Sequence, residues 1–593
     1  MKRLLRLFSA VVVFGLLMSC LALPGTVATP TAAPASVLTN PPLPTDLAAP
    51  TNAAASSTAP ANATIQPTLD RRLRRTAAPE PTQPTSAATA TAQATPHVPT
   101  GSKPNIVFIL TDDLDAAAIQ FMPHLKSLIT DNGLTFTNYQ VAMSLCCPSR
   151  ATTLRGQYPH NTQILGNVLP TGGYAKFFQL GEESSTIPVW LQAAGYRTML
   201  AGKYLNDYPL KTDPMHLPPG WNEWYSAIKG NPYSEYKYTL NENGKPVAYG
   251  DQPQDYGTDV YFGKALDFIQ RSAAANQPFF VYLAPYAPHA PYTPAPRHAD
   301  LFPGVQAPRT PNYNEADVSD KPAYIRDLPP LTPKLMATID EDYRKRLQSL
   351  QAVDEGIAAV VAKLQATGQL NNTYIFFTSD NGYHLGNHRQ IVGKIAPYAE
   401  ELRVTMIVRG PGVPAGQTLD LLVGNVDLAP TWADLAGATV PSFIDGRSLL
   451  PLMRPNPPPL TQWRQVYSIE NGPDNGGTNN SETETVVADT NLLEPADADQ
   501  LVPTAQAPNS GKKAKAEVVP ALRGLRTQTL SYVEYVTGET ELYDLTKDPY
   551  ELTNLVATAD PKLLAALSAR VKLLENCQAA DCRTVEDAPL NLP

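Results

Sequence analysis

The feature that most restricts the fold of this 593-residue chain is a set of short, continuous apolar runs. The runs are residues 104–110, 196–201, 278–284 and 374–378. Apolar runs of this length are typical of strands that are buried on both faces of a parallel sheet. Between them, residues 186–195, with a hydroxyl cap at Thr186, and residues 335–367 have helical patterns. The alternation predicts an α/β domain with a large, mostly parallel central sheet covered by helices.

Polar side chains follow each run at the point where the strand is predicted to end. They are Asp112 and Asp113, Lys203, His289, and Asp380 with Asn381. Ligands bind at the carboxyl edge of open parallel sheets, so one shared site explains all four placements. The carboxylate and amide oxygens of the two acidic clusters suit Ca²⁺, or Mg²⁺, rather than zinc or copper. The alternative for a single acidic pair is a helix cap beside a surface charge.

The pattern changes near residue 450, so we predict a catalytic domain over 101–450 and a subdomain over 451–593. Residues 471–520 are polar and predict a disordered insertion. After the insertion, three strand-like segments and one helical segment predict a small antiparallel sheet with a helix. These segments are residues 524–527, 530–536, 542–545 and 562–574.

The N-terminus predicts export. Residues 1–20 combine basic residues with a short apolar run, as in a secretory signal peptide. The run ends at Cys20 in a sequence that resembles a lipoprotein box, so lipidation of Cys20 and simple cleavage both remain open. Residues 21–100, rich in Ala, Thr and Pro, predict a disordered tether. We therefore expect a secreted protein or a cell-surface or periplasmic lipoprotein of a bacterium, with a lipid anchor as its one membrane contact.

Charge and cysteine content exclude several classes of function. A net charge of −9 argues against binding of nucleic acid, and any polyanionic substrate needs local basic contacts. No Cys/His spacing supports a zinc cluster. Cys577 and Cys582 are close enough in the chain for a disulfide, as an exported protein permits.

The stretch 144–156 contains two adjacent thiols, followed by a proline and an arginine at a predicted helix start. Backbone N–H groups at such a start favour a bound anion, and Arg150 adds a fixed positive charge. For an arbitrary Cys-Cys pair, a buried structural role is the alternative. The order Cys146, Cys147, Pro148, Ser149, Arg150 resembles the signature of sulfatases, in which the first cysteine is oxidised to formylglycine and becomes the nucleophile.

Further segments strengthen this resemblance to the type I sulfatases of the alkaline-phosphatase superfamily. They are 104–113, Gly202-Lys203-Tyr204-Leu205-Asn206, Pro288-His289-Ala290-Pro291, Thr378-Ser379-Asp380-Asn381-Gly382, Gly393-Lys394, 403–412 and 542–549. Two of the motifs, Cys-Cys-Pro-Ser-Arg and Gly-Lys-Tyr-Leu-Asn, are most similar to the N-acetylglucosamine-6-sulfatase and heparan 6-sulfatase branch. The resemblance implies an alkaline-phosphatase-like fold and a sulfated carbohydrate substrate, with 6-O-sulfate esters of N-acetylglucosamine expected.

The resemblance also implies the roles of the site residues. Formylglycine made from Cys146 by a maturation enzyme would, as its hydrate, bind the metal together with the four oxygen ligands and form a covalent sulfo-enzyme. Arg150, Lys203 and Lys394 would hold the sulfate, and His289 would protonate the leaving alcohol, alone or with Lys394. The second hydroxyl of the hydrate would then expel sulfate.

The chain departs from many sulfatases at Leu205, where a histidine otherwise deprotonates the hydrate. The base is therefore unassigned. Asn206 and His384 are predicted to bind substrate. His384 and His388 lie next to the Asp380–Asn381 pair and could serve the site, with a structural role as the alternative for each. Two rival functions remain: a phosphodiesterase or phosphonate monoester hydrolase of the same superfamily, and an inactive glycan-binding lipoprotein.

Overall fold

The computed structural model describes residues 103–472 and 519–590. The predicted signal peptide, the tether, Cys20 and most of the predicted insertion lie outside these residues. In the described ranges, no helix is both long enough and apolar enough to cross a membrane.

Thirteen strands, numbered in chain order, belong to the predicted catalytic domain. They are β1 (Asn105–Thr111), β2 (Leu134–Gln140), β3 (Arg197–Gly202), β4 (Glu223–Gly230), β5 (Tyr238–Glu242), β6 (Lys245–Ala248), β7 (Phe279–Ala284), β8 (Thr373–Ser379), β9 (His384–Leu385), β10 (Val392–Gly393), β11 (Arg403–Arg409), β12 (Gln417–Leu419) and β13 (Val423–Gly424). Strands β9 and β10 form a separate hairpin. The other eleven form one sheet in the order β12-β2-β11-β8-β1-β7-β3-β4-β5-β6, with β13 also paired to β2.

The centre of this sheet is parallel, as the apolar runs predict. Strands β8, β1, β7, β3 and β4 run in one direction, and the four predicted runs form β1, β3, β7 and β8. Strand β11 is antiparallel to both neighbours, β2 and β8. Because Thr111 of β1 is paired with Ser379 of β8, the segments that follow these two strands leave the sheet side by side.

Within residues 103–472 and 519–590, eleven α-helices surround the sheets. They are α1 (Cys146–Arg155), α2 (Pro159–Thr162), α3 (Gly173–Gln179), α4 (Ile187–Ala193), α5 (Gly257–Ala274), α6 (Ala323–Arg326), α7 (Pro333–Ala366), α8 (Ala399–Leu402), α9 (Leu428–Ala436), α10 (Pro561–Leu574) and α11 (Ala580–Asp587). The predicted cap of α4 is wrong in one respect, because Thr186 precedes the helix but its side chain makes no capping hydrogen bond.

Apolar side chains cover both faces of the sheet. Phe108 of β1 packs in a core with α1, α4 and α9, whereas its neighbour Val107 packs in a second core with α5 and α7. Successive side chains of a strand point to opposite faces, so both cores require the unbroken apolar composition seen in the sequence. The α/β prediction is confirmed.

A smaller antiparallel sheet follows the catalytic domain. Its strands, in spatial order, are β14 (Tyr467–Asn471), β15 (Leu522–Arg526), β16 (Leu530–Tyr535) and β17 (Thr540–Asp544). Helix α10 packs its apolar side against this sheet, which confirms the predicted architecture. Strand β14 was not predicted from the sequence. The disulfide between Cys577 and Cys582 is formed, with an S–S distance of 2.01 Å.

Candidate active site

The acidic clusters after β1 and β8 meet at the carboxyl edge of the sheet. Asp113 has a left-handed backbone (φ 63°), and its amide donates to Asp380 Oδ1 at 3.1 Å. The Asn381 amide nitrogen Nδ2 donates to Asp113 Oδ1 at 2.7 Å. All four residues, including Asp112, are fully or almost fully buried. The shared site predicted at this sheet edge is therefore present as a geometric cluster.

Cys146 is the first residue of α1 and faces this cluster. Its Sγ lies 3.5 Å from Asp112 Oδ1 and 3.8 Å from Asp113 Oδ1. Lys394 Nζ lies 2.9 Å from the same sulfur and donates to Asp113 Oδ1 at 2.7 Å. Burial raises the pKa of the Cys146 thiol well above its ordinary value, although Lys203 and Lys394 oppose the rise. The unmodified thiol is therefore a poor nucleophile at neutral pH, since the thiolate is the reactive form.

Two further cations come from different parts of the sheet edge. Lys203, immediately after β3, donates to Asp112 Oδ2 at 2.7 Å. Arg150, one turn into α1, donates from Nε to Asp380 Oδ2 at 2.8 Å and from Nη1 to the Lys203 carbonyl at 3.1 Å. Its third nitrogen, Nη2, is buried without a hydrogen-bond partner among the described residues. Arg150 thus retains a donor for an oxyanion.

His289 lies on the opposite side of Asp113, in the segment that follows β7. Its Nδ1 is 2.8 Å from the carbonyl of Ala290, which can only accept, so this nitrogen carries a proton. Its Nε2 is 3.5 Å from Asp113 Oδ2 and faces the cluster. This orientation suits a proton transfer from Nε2 into the site.

The carboxylates of the cluster have opposite pKa shifts. Burial raises the pKa of Asp112 and of Asp113, but Lys203 beside the first and Lys394 beside the second, each with His289, outweigh burial and leave both pKa values below the ordinary range. Burial, with Asp112 nearby, raises the pKa of Asp380 to about 6 even though Arg150 opposes the change.

The donor set fits a divalent cation of the calcium or magnesium type. Oxygens of Asp112 and Asp113 lie within 4.8 Å of one another and of the Cys146 sulfur, in a fully buried group. Asn381 Oδ1 is also buried, without a hydrogen-bond partner among the described residues, as expected of a ligand atom. Carboxylate and amide oxygens are the preferred ligands of such ions. Asp112, Asp113, Asp380 and Asn381 are therefore the residues that would hold it.

The two residues predicted to bind substrate, His384 and Asn206, lie in different segments of the chain. His384, in β9, is paired with Gly393 of β10 and therefore lies across the hairpin from the segment that carries Lys394. Its Nδ1 is 2.6 Å from Glu401 Oε1, and both side chains are buried. Asn206 is buried too, and its backbone carbonyl accepts from the amide of Tyr174 at 2.7 Å.

Three residues that support the site were missed in the sequence. Arg346 of α7 donates to the carbonyls of Asp113 and Pro288, which joins the segments after β1 and β7. The sequence does contain a signal for Arg346, because this arginine occupies an apolar position of the predicted amphipathic helix. In the structure its side chain is fully buried. Glu401 and Asn167 gave no local signal; Asn167 Oδ1 accepts from the amide of Cys147 at 3.0 Å.

Comparison with known proteins decides the family. The family model for sulfatases matches residues 104–438, which contain every residue of the cluster. The chain belongs to the sulfatase family. It is accordingly a sulfuric ester hydrolase, and the predicted family resemblance is confirmed.

Several relatives cover most of this sulfatase. It is 37% identical to human N-acetylglucosamine-6-sulfatase over 491 residues, which is 81% of this chain and 86% of the relative. It is 38% identical to a putative extracellular sulfatase Sulf-1 homolog of Caenorhabditis elegans, over 63% of this chain and 53% of the relative.

Solved structures share the fold of this sulfatase. A protein in complex with its substrate D-glucosamine-2-N,6-O-disulfate matches with a TM-score of 0.62 and 24% identity, over 79% of this chain and 97% of the other. A phosphonate monoester hydrolase from Silicibacter pomeroyi matches with a TM-score of 0.55 and 22% identity, over 79% of this chain and 93% of the other. The fold of this chain is thus shared with a protein that binds a sulfated sugar and with a phosphonate monoester hydrolase.

Proposed function

We propose that this sulfatase removes 6-O-sulfate from N-acetylglucosamine or related sugars of sulfated glycans, after Cys146 has been converted to formylglycine. The observation that carries the proposal is the position of Cys146, whose sulfur lies among Asp112, Asp113 and Lys394 at the start of α1. The substrate is inferred from the relatives, several of which are N-acetylglucosamine-6-sulfatases at 36–37% identity.

The first half of the proposed reaction transfers the sulfuryl group to the enzyme. A bound Ca²⁺ or Mg²⁺ would lower the pKa of a coordinated hydroxyl and neutralise charge. Formylglycine at position 146 would, as its hydrate, supply the deprotonated hydroxyl oxygen that takes over the sulfuryl group from the ester oxygen. Arg150 Nη2 and the ammonium groups of Lys203 and Lys394 stabilise the sulfate oxygens. His289 Nε2, in its protonated form, gives its proton to the leaving alcohol.

The second half releases sulfate without attack by water on sulfur. The second hydroxyl of the hydrate would supply the route of release: its proton would pass to a base of the site, sulfate would leave with its bridging oxygen, and the aldehyde would be restored. His384 is the proposed base, since Leu205 occupies the place of the histidine that many sulfatases use. Glu401, 2.6 Å from His384 Nδ1, would hold the ring and stabilise its protonated form.

Two further parts of the proposal concern the export of the chain and the modification of Cys146. Residues 1–20 would direct export, with either cleavage or a lipid anchor at Cys20. A formylglycine-generating enzyme would act on the segment that begins at Cys146 before the domain folds, because Cys146 is fully buried in the folded protein.

The test combines mass spectrometry with turnover. The protein is produced with a maturation enzyme, and the peptide that spans Cys146 is weighed. The aldehyde is expected in wild type and in the matched variant Cys147→Ser. Release of sulfate from N-acetylglucosamine-6-sulfate is expected in both, but not in Cys146→Ala. An unmodified thiol in an active protein would refute the mechanism, and faster turnover of a phosphate diester would refute the substrate.

A further inference from the structure

A second polar cavity lies close to the segment that supports residue 146. It has a volume of about 450 Å³ and opens at the protein surface. Its charged lining residues are Lys176 of α3, Arg523 of β15, His160 of α2, and Glu575 after α10. Four other lining side chains are carboxamides, which can donate to and accept from hydroxyl groups. Nothing in the proposed reaction uses this cavity.

Two cations of the cavity make no hydrogen bond to a carboxylate of the described residues, although Arg523 forms an ion pair with Glu470. Lys176 Nζ donates to the carbonyl of Thr171 at 3.3 Å, and no carboxylate of the described residues lies within salt-bridge distance of it. Arg523 Nε has no hydrogen-bond partner in the described part of the chain. The nearest carboxylate oxygen, Glu470 Oε2, is 4.0 Å away from it. Both residues can therefore offer charge to an anionic ligand.

His160 completes the positive side of the cavity. Its Nδ1 is 2.9 Å from Glu470 Oε1, and its Nε2 is 3.1 Å from the carbonyl of Cys577. Burial lowers the pKa of His160, but Glu470 and the carbonyl outweigh it and raise the pKa to about 8. The charges of His160 and Glu470 offset each other, so Lys176 and Arg523 face Glu575 as the one remaining carboxylate of the lining.

One loop connects the lining of the cavity with the segment that carries Cys146. Within this loop, Gln163 and Thr171 line the cavity. Asn167, between them, accepts the amide of Cys147 with its side chain at 3.0 Å. The cavity is therefore a neighbour of the nucleophile position but shares none of the residues that surround it.

We propose that this cavity binds a second sulfated sugar of the same glycan whose 6-O-sulfate occupies the active site. This inference rests on the proposed function. The cations would contact a sulfate, and the carboxamides would contact ring hydroxyls. On a chain with a net charge of −9, a polyanionic glycan requires such a local basic contact.

The test compares a monosaccharide with a long substrate. The double variant Lys176→Gln, Arg523→Gln is assayed on N-acetylglucosamine-6-sulfate and on a sulfated octasaccharide that contains it. The KM for the octasaccharide is expected to rise about tenfold, as befits the loss of two ionic contacts. The kcat and KM for the monosaccharide are expected to stay within about twofold of wild type.

Two further variants test whether positive charge in the cavity lowers the KM for the octasaccharide. Glu575→Gln removes the opposing carboxylate and is expected to lower the octasaccharide KM about twofold. Lys245→Gln, on the exposed strand β6, is the matched control and should change neither substrate. Equal effects of the double variant on both substrates, or none on either, would overturn the inference while the proposed function stands. A wild-type enzyme that hydrolyses neither substrate would overturn the proposed function.

Discussion

Two buried ionic clusters in this molecule differ in whether all of their polar atoms have hydrogen-bond partners. We call a cluster complete when they do and incomplete when they do not. In the first, Arg464 donates to both oxygens of Asp427, at 2.6 and 2.7 Å, and to Glu586 at 2.8 Å. No polar atom of Arg464 is left without a partner among the described residues. In the second, at the active site, Arg150 Nη2 and Asn381 Oδ1 are buried without one.

The difference indicates what each cluster is for. Arg464 joins the start of α9, through Asp427, to α11, through Glu586, and its hydrogen bonds offset the cost of burying three charges. The active-site cluster leaves a buried donor and a buried acceptor available to a ligand. A complete cluster is expected to contribute to folding, and an incomplete one to binding and catalysis.

The largest expected effect is on catalysis. Lys203→Met removes a cation from the active-site cluster, and kcat should fall roughly a thousandfold, because the sulfate loses one stabilising charge in the transition state. With Ca²⁺ present, Asp112 would keep the ion and Arg150, 3.7 Å away, as cationic neighbours, so the free energy of unfolding should fall by less than the roughly 3–5 kcal/mol that a buried charge left without its partner costs. Steady-state kinetics and urea unfolding measure the two quantities. A large loss of stability would contradict the comparison.

For the complete cluster, we expect a large loss of stability and little change in activity. Arg464→Met leaves Asp427 and Glu586 buried without their main partner, and the free energy of unfolding should fall by about 3 kcal/mol or more. At temperatures where the variant is folded, kcat/KM should match wild type within about twofold. The exposed Lys126–Asp131 pair provides the control, since Lys126→Ala should cost less than about 1 kcal/mol.

Metal addition should stabilise the incomplete cluster. At a Ca²⁺ concentration about one hundred times Kd, the free energy of unfolding of the wild type should rise by about 2.7 kcal/mol. Asn381→Leu, which removes a proposed ligand, should abolish most of this rise in a thermal unfolding assay. Asn371→Leu, at an exposed position, should retain it. Equal stabilisation of both variants would place the ion elsewhere.

The smallest expected effect is a pH dependence outside both clusters. The pKa of His160 is raised from 6.5 to about 8, so folding favours its protonated form. Its contribution of about 2 kcal/mol is fully present below pH 6.5 and is lost as the pH rises through 8. His160→Gln should flatten the stability profile in this range by that amount, as measured by urea unfolding. An unchanged slope would show that His160 is neutral in the folded protein.

The sequence was sufficient for the parts of this molecule that local pattern controls. The apolar runs predicted β1, β3, β7 and β8, and the residues after them meet at one sheet edge because parallel strands end together. Strand β11 is antiparallel to its neighbours, and this direction depends on its pairing with β2 and β8. Direction of this kind has no local signature.

The missed residues share a different property, which is dependence on distant segments. Glu401 acquires a partner only when the β9–β10 hairpin brings His384 to it. The second cavity combines α2, α3, β15 and the segment after α10, and no short motif connects these parts. His160 and Glu470 are 310 residues apart in the chain, so the residues next to either one do not predict their contact.

The pairing of β14 with β15 bears on how this enzyme can be rebuilt. Asn471 and Leu522 are direct partners in the ladder, so the chain leaves and re-enters the small sheet at adjacent points. The free energy of closing a loop changes by only about 0.6 kcal/mol when its length is halved or doubled. The sheet should therefore tolerate long deletions, or a whole foreign domain, between Gly472 and Val519, the buried residue at which the described chain resumes. This position is therefore suited to the insertion of a reporter domain or a carbohydrate-binding module.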